Sequence, residues 1–530
     1  MRGSPNKSPE RAAVVVIGAG IAGLSAAARI AHAGEDVLVL ERHATPGGKM
    51  RTLPTPAGPA DTGPTVLTMR PVFEELFSAL GERLDDHVTL IRQDILARHF
   101  WPDGSQLDLH ADEGASIEAI RDFAGRRSAE QFHAFCQRAR RLFEAFDAPM
   151  MQSAAPSLAA LTGHVVRNPS LISLMGPMQS LAMALQKSFD DRRLAQLFGR
   201  YATYVGGSPY QSPAVLSLIW QAEAAGVWVV EGGMHRLARA LEAIATARGA
   251  RFSYGAHVEE IEVANGAVRA VRLQGGDRIA ADRIVFNGDP RALASGAMGQ
   301  GFASVAPRTL KDERSLSAEV WAFSAKPDGP DLAHHNVFFR DDPEPEFAAL
   351  RRGELVPDPT LYICAQDRGG REQPPAMERF EIIANAPPLK PQALQQEDFS
   401  PCQTRVFRTL DKFGLTFTPE PGPEALTTPR MFDRLFPASL GSIYGQSPHG
   451  MLAAFRRPVA RTPIKGLYLA GGGAHPGAGV PMATLSARHA AEAILSDRIS
   501  ISPSRRTGTH GGMSTESAIA APAQSASSRS

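Results

Sequence analysis

Four consecutive β-branched residues, Val14-Val15-Val16-Ile17, open the first patterned stretch of the chain. A continuous apolar run without polar alternation predicts a strand buried on both faces. Gly18 to Gly23 read as a tight turn. Ile21 to Ala33 is alanine-rich, suits a helix and is ended by Gly34. Val37-Leu38-Val39-Leu40 predicts a second buried strand that closes on Glu41.

From about Pro71 to Ala225 the pattern reads as mainly helical, with apolar spacings of three and four over Ser128 to Ala145 and Arg192 to Tyr204. Gly232-Gly233 precedes a further helix, Met234 to Arg248. His257 to Val263 and Ala267 to Leu273 alternate around Asn265-Gly266, a strong hairpin signal. Arg278 to Phe286 predicts another strand. Residues 296–450 are mixed, with strands near Leu361 to Ala365 and Glu381 to Ala384. The last patterned unit is a strand, Gly466 to Ala470, a glycine-rich turn and a helix, Pro481 to Leu495. Residues 1–11 and 502–530 lack an apolar period and are expected to be disordered.

At 530 residues the chain exceeds what one hydrophobic core normally needs, so two domains are expected. The 56 Lys and Arg against 55 Asp and Glu leave +1, which argues against a dedicated nucleic-acid binder. Cys136, Cys364 and Cys402 are too few and too scattered for a disulfide framework or a zinc site, and fit a reducing compartment. The longest uncharged window, between Arg167 and Lys187, is diluted by Ser, Asn and Gln and broken at Gly176-Pro177. It fails as a membrane span and reads instead as two short interfacial pieces, with Leu171 to Leu185 as the docking candidate, or as packed core.

Chemistry is concentrated at the two ends of the patterned region. Gly18, Gly20 and Gly23 form G-x-G-x-x-G between a strand and a helix. The first glycine allows the turn, the second lets backbone approach a pyrophosphate, and the third lets the helix pack on the strand. The helix start offers free N–H groups to the phosphates. Glu41, 23 positions after Gly18, is placed for an adenosine ribose hydroxyl. Beyond it, Gly47-Gly48 permits close approach to a cofactor, and Lys49 or Arg51 can neutralise phosphate charge. Asp61-Thr62-Gly63-Pro64-Thr65 is a turn with exposed backbone donors. Near the other end, Gly466 to Met482 delivers Gly472-Gly473, His475-Pro476-Gly477-Ala478-Gly479-Val480 and then Pro481, where a helix can start and aim its N–H groups at a bound ring.

These motifs resemble those of the flavin-dependent amine oxidase and carotenoid desaturase superfamily. The His-Pro-Gly-Ala-Gly-Val-Pro run is closest to phytoene-desaturase-type enzymes and, with Met482 following, to their hydroxyneurosporene branch. The resemblance covers about Ala12 to Ser496. It implies an α/β fold: a doubly wound, Rossmann-like FAD-binding domain (12–85, 225–295 and 450–498) with an inserted mixed α+β substrate domain (86–224 and 296–449). FAD is the implied cofactor, held by Gly18, Gly20, Ala22, Gly23, Glu41, Gly48, Lys49, Arg51, Gly63, Pro64, Thr65, Val258, Gly472, Gly473, Gly479, Val480, Pro481 and Met482. Many members carry an acidic residue in the C-terminal loop for the ribityl chain; Gly473-Ala474 stand there, so backbone groups must serve.

The activity implied is 3,4-desaturation of a 1-hydroxy or 1-methoxy acyclic carotenoid, in which a hydride leaves one carbon for the flavin and a proton leaves its neighbour. The electron acceptor, oxygen or a quinone, and the proton acceptor stay open. His475 is a candidate catalytic residue that suits shaping the loop better, since a polyene carbon asks little of a base of ordinary pKa. His110, His133, His164, His334 and His335 match no common metal spacing and are expected on the surface or in packing, with no metal. The alternatives are a phytoene desaturase, an amine oxidase, and a lipid-binding escort protein of related fold without redox chemistry. A polyene substrate implies work at a membrane surface, peripherally and on the cytoplasmic side.

Overall fold

The computed structural model describes residues 11–370, 373–390 and 399–501. The terminal segments expected to be disordered lie outside these residues, except Arg11, which instead opens the first strand.

Two sheets organise the molecule. In the first, the strands Leu467–Leu469, Arg278–Phe286, Arg11–Ile17, Val37–Glu41 and Arg251–Tyr254 run parallel in that spatial order. The hairpin strands Val258–Ala264 and Ala267–Leu273 extend it antiparallel beside Arg278–Phe286. The β-branched first strand is buried on both faces, as its unbroken apolar run requires. Val14, Val16, Val37 and Val39 meet the helices Ile21–His32, His235–Ala247 and Val480–Ile501 on one side. Val15, Leu38, Leu40 and Ile284 pack on the other side with the hairpin and with Leu293, Met298 and Phe302. The hairpin turns at Asn265 (φ 54°) and Gly266 (φ 70°), both left-handed, as an Asn-Gly pair favours.

The second sheet runs Thr416–Thr418, Ser317–Asp328, Glu378–Ala386, Leu361–Ala365, His335–Phe338, Ile95–Phe100, Gln106–His110. Its first five strands are antiparallel neighbours, and His335–Phe338 pairs parallel with Ile95–Phe100. One face packs Trp321, Phe323, Phe380 and Ile382 against the helix Phe399–Asp411. On the other, Val337, Phe339 and Tyr362 meet the helices of residues 113–224 through Phe132, Phe198 and Trp220.

Two expectations are corrected. The region from Pro71 to Ala225 is not helical throughout: Ile95–Phe100 and Gln106–His110 form a hairpin joined to the second sheet. Its edge partner, His335–Phe338, comes from more than two hundred residues away, so local pattern could not supply it. The turn was nonetheless written in the chain, as Pro102-Asp103-Gly104 with Gly104 at φ 82°. Second, Arg192 to Tyr204 is not one helix. An α-helix covers Arg192–Gly199, and 3-10 turns over Arg200–Val205 end on left-handed Gly206.

The expected helix over Ser128 to Ala145 spans Arg126–Phe146. Two short helices, Ser170–Met175 and Leu181–Ser188, flank the break at Gly176-Pro177. Leu171, Leu181 and Leu185 are buried, so much of the apolar bulk in this segment belongs to the core rather than to an interface.

Candidate active site

The turn between the first strand and first helix has no room for side chains. A Cβ on Gly23 would lie 2.0 Å from the Gly18 carbonyl oxygen, so only glycine lets the helix sit this close to the strand end. Gly18 holds φ 98° and donates its N–H to the Leu40 carbonyl at 2.8 Å. Gly20 caps the helix without any side-chain hydrogen bond, and its first turn carries no acidic residue. Bare N–H groups therefore face outward from a positive helix end, which fits a pyrophosphate. Ala22 is buried in that helix. Glu41 is 4 % exposed, and its two oxygens accept from the N–H groups of Ala19 (2.6 Å) and His43 (2.9 Å). Each oxygen keeps a lone pair for a ribose hydroxyl. Val258 is buried close by, two residues after Ala256, whose N–H donates to the Glu41 carbonyl.

The next two motifs stack on this turn. Gly47 donates to the Ala19 carbonyl (2.8 Å), and a Cβ on Gly48 would lie 3.0 Å from the Gly20 Cα. A Cβ on Gly63 would lie 1.9 Å from the Lys49 carbonyl oxygen. Gly20, Gly48 and Gly63 thus form a continuous run of backbone-to-backbone contacts that leads through Pro64 to Thr65. Asp61, at its start, accepts from the Met234 N–H (2.6 Å), at the head of the helix His235–Ala247.

The two cations expected to neutralise phosphate charge also bond to the protein itself. Lys49 reaches the Ile443 carbonyl beside the Phe436 ring, and Arg51 donates to the Thr427 hydroxyl at 2.6 Å. The Lys49 side chain keeps accessible surface. Burial pushes its ammonium down to about 8; Asp289 opposes that shift, and Arg314 and Arg457 add to it.

The C-terminal loop closes on the same place. Asn287, just past the strand Arg278–Phe286, donates from Nδ2 to the Gly18 carbonyl (3.0 Å), and a Cβ on Gly471 would lie 2.7 Å from its Oδ1. Sequence reasoning missed Asn287. Its signal was a polar residue directly beyond the carboxyl end of a parallel strand, where such sheets bind ligands. Arg457 was also missed: it donates to the carbonyls of Gly472 (2.6 Å), Gln446 (2.9 Å) and Tyr444 (3.1 Å). Gly473 packs on Pro290, Gly479 holds φ 102°, and the last helix begins at Val480 with Pro481 and Met482 in its first turn.

His475 is 3 % exposed, and its Nε2 lies 2.9 Å from the Ser153 carbonyl oxygen. Burial pushes it down to about 4, so it is a neutral ring that fastens residues 150–153 to the loop. His334 and His335, expected on the surface or in packing, are buried beside Cys364.

A strand–turn–helix that presents bare N–H groups, an acid at the second strand end and a glycine loop from the far end of the chain form one continuous cradle. Residues 21–325 and 437–495 match the flavin-containing amine oxidoreductase family. The chain belongs to that family. Its cofactor is FAD, and the cradle fits it.

Among curated relatives, the hydroxyneurosporene desaturase of Cereibacter sphaeroides is 54 % identical, over 91 % of this chain and 97 % of that protein. That of Rhodobacter capsulatus is 53 % identical, over 92 % and 98 %. A 4,4'-diapolycopene oxygenase of Methylomonas sp. is 31 % identical, over 91 % and 98 %. Among solved structures, putrescine oxidase bound to putrescine shares the fold at a TM-score of 0.58 and 14 % identity, over 92 % of this chain and 99 % of that one. The cyclohexylamine oxidase of Brevibacterium oxydans does so at 0.56 and 18 %, over 92 % and 100 %.

Proposed function

We propose that the protein is an FAD-dependent desaturase that forms the 3,4 double bond of a 1-hydroxy or 1-methoxy acyclic carotenoid. The observation that carries this reading is the 54 % identity to a hydroxyneurosporene desaturase, which spans the second sheet and helices as well as the cofactor cradle. FAD supplies the hydride acceptor, and the neighbouring carbon of the substrate loses a proton. The chain's own part is placement. The Gly18–Gly23 turn anchors the diphosphate, Glu41 the ribose, and the backbone around Gly63 and Gly472 leaves room for the ring. The aromatic-rich helices over the second sheet keep water from the polyene. Oxygen or a quinone then takes up the electrons.

The test is incubation of the purified holoprotein in liposomes with hydroxyneurosporene, followed by product chromatography and mass spectrometry. One desaturation at the 3,4 position is expected. Several successive desaturations of phytoene instead would favour the phytoene desaturase reading. A protein without a reducible flavin spectrum would favour an escort protein.

We further propose that the protein works peripherally at the cytoplasmic face of a membrane. No helix among the described residues is long and apolar enough to cross one. Exposed large apolar side chains gather between 158 and 183: Leu158, Val166, Ile172, Met178 and Met183. The helix Leu158–Arg167 has no buried residue at all. A C40 polyene crossing water would lose about 0.8 kcal/mol per CH₂-sized group, which favours uptake from a bilayer.

A further inference from the structure

His334 and His335 match no metal spacing in the sequence, yet the second sheet brings a sulfur to them. His335 is the register partner of Cys364 on the neighbouring strand, and the His334 carbonyl accepts from the Ala365 N–H at 2.9 Å. The three side chains belong to residues only 6 %, 2 % and 1 % exposed. One ring nitrogen of each histidine and the Cys364 Sγ lie within 4.8 Å of one another. The Cys364 Sγ and the His334 Nε2 are 3.5 Å apart. Around a tetrahedral zinc, with Zn–S of about 2.3 Å and Zn–N of about 2.0–2.1 Å, a sulfur and a nitrogen stand roughly 3.5 Å apart. That edge already has the required length, and a shift of the His335 ring by about 1 Å completes the triangle.

The outer nitrogens of both rings are held. His334 Nδ1 meets the Arg368 carbonyl oxygen, and His335 Nδ1 lies 2.7 Å from the Tyr362 hydroxyl. The phenol is itself placed by Thr65, whose Oγ1 is 2.8 Å away. Metal-binding imidazoles are oriented in this way, with the far nitrogen on an oxygen and the near one left for the ion. The Nε2 of His335 is buried and has no partner among the described residues. A bare nitrogen in the interior is costly, and an ion in this triangle satisfies it. Access exists as well: His334 and Cys364 border a cavity of about 490 Å³ whose other walls include Asp61, Gln366 and Arg379, a polar lining that admits water and ions.

We propose that His334 Nε2, His335 Nε2 and Cys364 Sγ bind one divalent ion of the zinc class, with the fourth position open to water from the cavity. Two imidazoles and a thiolate favour such an ion over magnesium or calcium, which take oxygen ligands. Burial pushes the Cys364 thiol well above its ordinary range, and a coordinated ion removes that proton outright. Tyr362 is a positioning residue for the His335 ring. The ion ties the strand His335–Phe338 to Leu361–Ala365 beside Thr65 of the cofactor cradle. This site stands apart from the desaturase reading given above, since that activity calls for no metal.

The experiment strips the tag-free holoprotein with a chelator, removes the chelator by gel filtration and titrates the protein with Zn(II). Metal content per chain, flavin absorbance and melting temperature are read together. Expected is about one tightly held zinc per chain and a melting temperature that rises with zinc but not with magnesium. Tyr362→Phe should weaken zinc affinity about 10- to 100-fold, and Cys364→Ser and His335→Gln at least as much, at unchanged flavin content. Cys136→Ser and Cys402→Ser should bind zinc as the wild type does. A wild type that retains no zinc, or ligand variants that bind it as tightly as the wild type, would overturn the assignment. Should Cys364→Ser lose its flavin, His335→Gln is held to the same criterion. Co(II) added to the stripped wild type decides without any variant: a thiolate-to-cobalt charge-transfer band with tetrahedral d–d bands is expected, and their absence would also overturn the site.

Discussion

Gly23 has no space for even a methyl group, because the Gly18 carbonyl occupies it. Gly23→Ala is expected to push the first helix off the strand end and destabilise the protein by about 1–3 kcal/mol, the usual scale of overpacking. Flavin retention on gel filtration and the melting temperature check this. Gly20 differs: a Cβ there has its nearest neighbour at 3.1 Å, the Asn287 side chain. Gly20→Val is therefore expected to leave a folded protein that has lost flavin. Normal flavin occupancy in that variant would remove the pyrophosphate from this turn.

Lys49 makes a prediction with a sign. In the flavin-free protein it titrates near 8. Negative charge brought near it by the cofactor raises that value, so binding takes up a proton. Flavin affinity should then weaken as pH rises from 8 toward 10, and Lys49→Met should flatten the profile. His475 acts oppositely in pH. Its folded value, about 4, lies below the ordinary 6.5, so its contribution is complete above pH 6.5 and is lost as pH falls toward 4. Acid melts of wild type and His475→Gln should converge in that window if the ring matters.

Among elements, those whose partners are local were legible. The Asn265-Gly266 hairpin, the first two parallel strands and the first helix follow from periodicity and turn residues alone, because both halves of each contact lie close in sequence, whereas the parallel strand Arg251–Tyr254 was not anticipated. At this scale Gly266→Val is expected to cost about 1–2 kcal/mol through its left-handed φ, without touching flavin content; thermal melts and absorbance separate the two effects. The strands Ile95–Phe100 and Gln106–His110 were not legible, since their burial depends on a strand far along the chain. The same holds within the site. The glycines announced themselves by spacing, whereas Asn287 meets them only through the crossing of strand ends.

For the whole molecule, the exposed apolar residues between 158 and 183 lie apart from the buried leucines of the same segment. Liposome flotation should weaken for Ile172→Asp and Met178→Asp while their flavin content stays normal. Leu181→Asp, by contrast, should damage folding, because Leu181 is fully buried. Equal flotation of wild type and both exposed variants would move the docking surface elsewhere. Saturating FAD, at about a hundred times its dissociation constant, should add ~2.7 kcal/mol to stability if it binds only the folded chain.

The cradle joins residues near position 20 to residues near 470, and Asn287 stands between them. On a ribosome, the glycine turn and its acidic partner emerge early, whereas Leu467–Leu469 and the last helix emerge at the end. At ~5–20 residues per second that delay is on the order of a minute. The nascent protein must therefore expose an incomplete parallel sheet throughout its own synthesis, and vitamin supply should govern yield rather than only activity. Riboflavin-starved cells are expected to accumulate less full-length protein at an unchanged message level, degraded before the final strand is locked in.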